Sequence, residues 1–128
     1  MILLLDSSTP VCRLILIDEN WRRDIEWQAD RTLAKGLLKF IDSSLNNNDR
    51  TWSDISAIGV FEGPGSFTGL RIGMTVLNTM VDTLHIPIVG GRGKDWQDRV
   101  LEKLNSSVNE KLVLPYYGSE AKITLPKK

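Results

Sequence analysis

Glu62-Gly63-Pro64-Gly65-Ser66-Phe67-Thr68-Gly69-Leu70-Arg71-Ile72-Gly73 is the stretch on which the fold turns. Gly63 and Gly65 admit dihedrals closed to other residues, Pro64 fixes φ between them, and Ser66 or Thr68 offers a hydroxyl to cap a following helix. The preceding Ser56-Ala57-Ile58-Gly59-Val60-Phe61 reads as a short buried strand. The whole unit is therefore strand, glycine turn, helix. A turn of this build points free N–H groups at one spot, which suits a phosphate or another anion. It also serves as a plain tight corner. The dinucleotide fingerprint is not met, because Gly69 falls one place late and Thr68 stands where the third glycine belongs. The phosphate-loop pattern also fails, since no lysine follows Gly69.

Upstream, Leu3 to Asp6, Val11 to Asp18 and Trp21 to Trp27 read as three strands joined by turns at Ser8-Thr9-Pro10 and Glu19-Asn20, an antiparallel meander. Arg31 to Leu45 reads as a helix with Ala34, Leu37, Leu38, Ile41 and Leu45 at helical spacing, stopped by Asn46-Asn47-Asn48. The strand at 56–61 and the helix after the glycine turn follow, the helix running to about Leu84. A strand at Ile86 to Val89 and an amphipathic helix from Asp95 to Leu104, built on Trp96, Val100, Leu101 and Leu104, complete the order βββαβαβα.

The helix after the glycine turn carries one apolar stripe in Phe67, Leu70, Met74, Leu77, Val81 and Leu84, enough to bind the sheet. Gly69, Ile72, Gly73, Val76 and Met80 lie on an adjoining flank, with the two glycines one turn apart so that a second helix has room to approach. Part of this flank is expected to pack on the chain's own first helix. The surplus raises the expectation of a helical interface with another protein.

As a string, GPGSFTGLRIG closely resembles the signature of the TsaB family, also called YeaZ. The opening Ile2-Leu3-Leu4-Leu5-Asp6-Ser7-Ser8-Thr9 resembles that family's first strand and turn, and Pro87-Ile88-Val89-Gly90 its strand after the signature helix. The resemblance covers about the first ninety residues. It implies an α/β fold, an RNase H-like lobe of the actin-like ATPase superfamily with a mixed five-stranded sheet. It further implies a non-catalytic subunit supporting TsaD, the transferase that forms N6-threonylcarbamoyladenosine (t6A) on transfer RNA at the adenosine next to the anticodon. The partners implied are a TsaD-like subunit, a TsaE-like ATPase reached through the complex, a second copy of the chain when TsaD is absent, and tRNA indirectly. The flank Gly69, Ile72, Gly73, Val76 and Met80 would be the partner surface.

Catalytic residues are harder to assemble from the sequence. Asp6, Ser7 and Ser8, with Gly63, Gly65 and Ser66, are candidate phosphate-binding turns, as in an actin-like kinase; an Asx or Ser turn closing the first strand is the structural alternative. His85, the sole histidine, stands at a helix end, and neither it nor Cys12 has partners at metal-ligand spacing. TsaD carries a metal-binding histidine pair on its first long helix, and the matching helix here has none. No nucleophile and base pair supports a peptidase. Trp21, Trp27, Trp52 and Trp96 are too dispersed for a base-stacking platform and are read as core or interface. No cofactor is expected for the chain itself; a nucleotide would enter only at the level of the complex.

At 128 residues the chain can bury one core, and Lys+Arg and Asp+Glu balance at 16 each, leaving no global field to attract nucleic acid. A single cysteine cannot form an internal disulfide, which fits a cytoplasmic setting. The apolar Met1-Ile2-Leu3-Leu4-Leu5 lacks a basic start and ends at Asp6, so it is read neither as a signal peptide nor as a membrane span. Residues 1–104 are expected to form the lobe, and 105–128 a linker and a carboxyl-terminal docking segment. In that segment Leu112-Val113-Leu114-Pro115-Tyr116-Tyr117 is too apolar to stay in water, and it resembles the family's extreme carboxyl end as though most of a second lobe were missing. It is expected to dock as an edge strand on its own lobe or on a neighbouring subunit.

Overall fold

The computed structural model describes residues 1–116. Five strands, β1 (Ile2–Asp6), β2 (Val11–Asp18), β3 (Trp21–Gln28), β4 (Ala57–Phe61) and β5 (Ile88–Gly91), form one sheet in the order β3-β2-β1-β4-β5. β1, β2 and β3 make the antiparallel meander, while β4 lies parallel to β1 and β5 parallel to β4. Three helices join them: α1 (Leu33–Asn47), α2 (Phe67–Leu84) and α3 (Trp96–Asn105). The element order is the one read from the sequence.

Side-chain alternation distributes the helices over both faces. Leu5 lies beneath Gly73 of α2, while Leu4 and Val100 of α3 close on Gly59 of β4. The centre of the sheet is therefore sandwiched, and Leu3, Leu4 and Leu5 are all fully buried. β3 is the exposed edge, with Arg22, Arg23, Asp24 and Glu26 in solvent, a composition that discourages strand addition.

Boundaries move for local reasons. α1 starts at Leu33 rather than Arg31, because Asp30–Thr32 forms a 3-10 turn first. Its buried residues are Leu33, Leu37, Ile41, Ser44 and Leu45, so Ala34 and Leu38, read at the same helical spacing as Leu37, Ile41 and Leu45, face outward. α2 is capped by Ser66, whose Oγ accepts from the Gly69 N–H at 3.2 Å, and ends at His85 in the left-handed region. Phe67 and Leu84, the ends of the expected stripe, are not buried. β5 begins at Ile88 instead of Ile86, because the Ile86 N–H is turned back to the Val81 carbonyl at the helix end.

The docking segment corrects another expectation. It adds no strand among the described residues. Val113, 2 % exposed, is pinned to α2 by the Asn78 side chain, which accepts from the Val113 N–H at 3.0 Å and donates to its carbonyl at 2.9 Å. Tyr116 donates its N–H to the Glu62 carbonyl at 2.8 Å, and its ring lies under Arg92 at 3.8 Å. Leu112 and Leu114 remain exposed. Tyr117 and the rest of the expected segment, to residue 128, lie outside the described residues.

Candidate functional site: two interlocked turns and a helix-pair groove

The turn after β1 and the turn after β4 meet at the amino terminus of α2. Asp6 Oδ1 accepts from the Ser8 N–H at 2.9 Å and from the Ser8 hydroxyl at 2.6 Å, an Asx turn. The buried Ser7 hydroxyl donates to the Gly69 carbonyl at 2.8 Å, and the Ser66 N–H donates to the Ser8 carbonyl at 2.9 Å. Gly65 lies against Ser8, and Gly63 adopts φ +124°, which a side chain rarely tolerates. The six candidate phosphate-binding residues are thus brought together, but the side-chain groups of Asp6, Ser7, Ser8 and Ser66 bond to the chain itself. Cys12 beside them is inert: burial, reinforced by the Asp6 charge, pushes its thiol up to about 12.

Gly69 and Gly73 require a correction. A Cβ on Gly69 would strike the Ser7 carbonyl oxygen, and one on Gly73 would strike the Ser7 hydroxyl. The close approach that these glycines permit is made by the chain's own β1 turn, not by a partner helix. The other three flank residues, Ile72, Val76 and Met80, stay half-exposed along the groove between α1 and α2.

That groove has an apolar floor and a charged rim. Ala34, Ile72 and Val76 share one part of it with Thr68, Arg71 and Thr75; Leu38, Met80 and Trp52 share another with Lys35, Lys39 and Asp42. Leu38 is 51 % exposed. The sequence reading missed α1's share of this surface, because it grouped Ala34 and Leu38 with Leu37, Ile41 and Leu45 as one helical spacing without separating an outward face. The signal was present, since Leu33, Leu37, Ile41, Ser44 and Leu45 make a complete inward stripe without them.

A second hollow lies at the carboxyl ends of β4 and β5, where nucleotide-binding sheets hold their ligands. Much of its charged lining is paired internally, Glu62 with Arg92 at 3.3 Å and Lys103 with Glu110 at 3.0 Å, while Arg99 pairs with Asp95 outside it. No group of three or more potential metal ligands occurs among the described residues.

A mixed sheet of order β3-β2-β1-β4-β5, with helices on both faces and a glycine turn opening α2 beside the β1 turn, defines an RNase H-like lobe of the actin-like kind. Comparison with known proteins narrows the class. The family model described as TsaD, tRNA N6-adenosine threonylcarbamoyltransferase, matches residues 27–90, half of the chain. The tRNA threonylcarbamoyladenosine biosynthesis protein TsaB of Haemophilus influenzae is 32% identical over 88 residues, 69% of this chain and 37% of its own length. TsaB of Bacillus subtilis is 48% identical over 48 residues, 38% of this chain and 21% of its own length. The structure of YeaZ from Pseudomonas aeruginosa superposes with a TM-score of 0.67 at 30% identity, covering 71% of this chain and 43% of that one. The chain belongs to the TsaB (YeaZ) family. The matched region spans no more than about two fifths of the length of these relatives.

Proposed function

We propose that this chain is a non-catalytic TsaB-like subunit that holds a TsaD-type transferase in its working state during t6A formation on tRNA. The observation that carries this reading is the α1/α2 groove, where Leu38, Ile72, Val76 and Met80 remain accessible in a lobe whose core is already closed. Engagement of Asp6, Ser7 and Ser8 in holding two turns together supports the non-catalytic part. A TsaE-like ATPase and tRNA would be reached through the complex, and a second copy of the chain is the alternative occupant of the groove. The setting proposed is cytoplasmic; no described helix is long and apolar enough to cross a membrane.

The test mixes the purified chain with the TsaD-type subunit of the same genome and measures both association and threonylcarbamoyl transfer to tRNA. The chain alone should transfer nothing, and the pair should exceed TsaD alone. Leu38→Asp places a carboxylate on the apolar floor of the interface, where the partner would have to desolvate it, at a cost of about 3 kcal/mol, roughly a hundredfold in affinity. It should abolish association and stimulation together while leaving the fold intact. An ATPase of the isolated chain that Asp6→Ala removes would replace this reading with an actin-like kinase.

A further inference from the structure

The rim of the α1/α2 groove carries a local excess of positive charge. Arg31, Lys35, Lys39 and Arg71 line it, against Asp30 and Asp42. Four cations less two carboxylates leave a net charge of +2 on a chain whose overall formal charge is +0. Elsewhere Arg13, Arg22, Arg50, Arg92, Arg99 and Lys103 each form an ion pair, whereas Arg23, Lys94 and Lys111 form none among the described residues and are not gathered on one apolar groove. Nor, among the described residues, does any of the four rim cations form one. Arg71 lies instead over the Phe67 ring at 5.4 Å. Lys35 and Lys39 stand one turn apart on α1, a like-charge spacing that destabilises a helix by itself. Asp42, three residues beyond Lys39, forms no ion pair with it.

From this we infer that the groove selects a partner whose helical apolar face is flanked by carboxylates and discriminates against a second copy of this chain. The inference rests on the proposed pairing through α1 and α2 and adds the partner's chemistry to it. In a two-fold homodimer the same patch faces itself, so unpaired cations meet unpaired cations over the apolar floor. An acidic-flanked partner meets the same floor with opposite charge. Apolar burial is common to both associations, and the rim decides between them.

The two associations must then respond to salt with opposite sign, because screening weakens attraction and repulsion alike. Sedimentation of the chain alone and with the TsaD-type subunit of the same genome, from about 50 to about 500 mM NaCl, reads this directly. Self-association should strengthen with salt, and the mixed pair should weaken about tenfold or more. Lys35→Glu combined with Lys39→Glu, at two exposed positions, should weaken the mixed pair about tenfold or more at low salt and strengthen self-association. If Leu38→Asp abolishes the mixed pair while the double glutamate variant keeps wild-type affinity and salt slope, the charge inference is overturned and the pairing reading stands. If Leu38→Asp leaves the mixed pair intact, both fall.

Discussion

A methyl group on Gly73 would enter the space of the Ser7 hydroxyl, which is held in place by its bond to the Gly69 carbonyl, and would also press on Leu5 at 3.1 Å. Replacing a helix-interior glycine by alanine ordinarily stabilises by about 1 kcal/mol. Here overpacking reverses the sign, and Gly73→Ala should destabilise the lobe by about 1–3 kcal/mol in urea unfolding. A stabilised Gly73→Ala variant would mean that the β1 turn does not sit on α2 as described. The same contact explains why these glycines were misread from sequence. Two glycines four residues apart on a helix look alike whether the approaching group is foreign or the chain's own. Ser7 lies 62 residues from Gly69 in the chain, and no local pattern announces that meeting. Asp6-Ser7-Ser8, by contrast, was legible as a turn, because an Asx motif is set by neighbours two residues apart.

The elements divide in the same way between local and distant causes. β1, β2 and β3 follow from short apolar runs broken by turn residues, and the ends of α2 follow from Ser66 and His85. α1 was placed, yet its outward face was not, because Ala34 and Leu38 share helical spacing with the inward stripe. The free edge of β5 is finished mostly by side chains rather than by a strand, with one backbone bond from the Glu110 N–H to the Ile88 carbonyl at 2.9 Å. Asn109 Oδ1 accepts from the Ile88 N–H at 3.1 Å, Glu110 Oε1 accepts from the Gly90 N–H at 2.6 Å, and Lys103 donates to the Gly90 carbonyl at 2.6 Å. An edge so occupied offers no template for pairing, which is why the apolar run beginning at Leu112 turns to α2 instead. Asn78→Ala removes both hydrogen bonds to Val113 and should cost about 1–2 kcal/mol of stability. Amide exchange at Val113 should quicken, with association through α1 and α2 unchanged. If Val113 exchanges at the wild-type rate, the Asn78 anchor is not what holds this segment.

For the whole molecule, the strand order and the helix placement come from one principle applied repeatedly: an apolar stripe has to be covered. The stripes of α2 and α3 and the doubly buried β1 and β4 made the order of elements legible in the sequence, while the RNase H-like lobe was what the family resemblance implied. A surface meant for a partner obeys the same rule with the covering element in another chain, so only a surplus can be read. Val76 and Met80, named as that surplus, stay half-exposed; Leu38 and the basic rim emerged only when α1 and α2 were seen side by side. The central claim, pairing through that groove, is tested most directly by hydrogen exchange of the chain with and without the TsaD-type subunit of the same genome. The account predicts slowed exchange confined to α1 and α2, strongest around Leu38, Val76 and Met80. Unchanged exchange across both helices, or protection centred on the Asp6 and Gly63 turns, would contradict it.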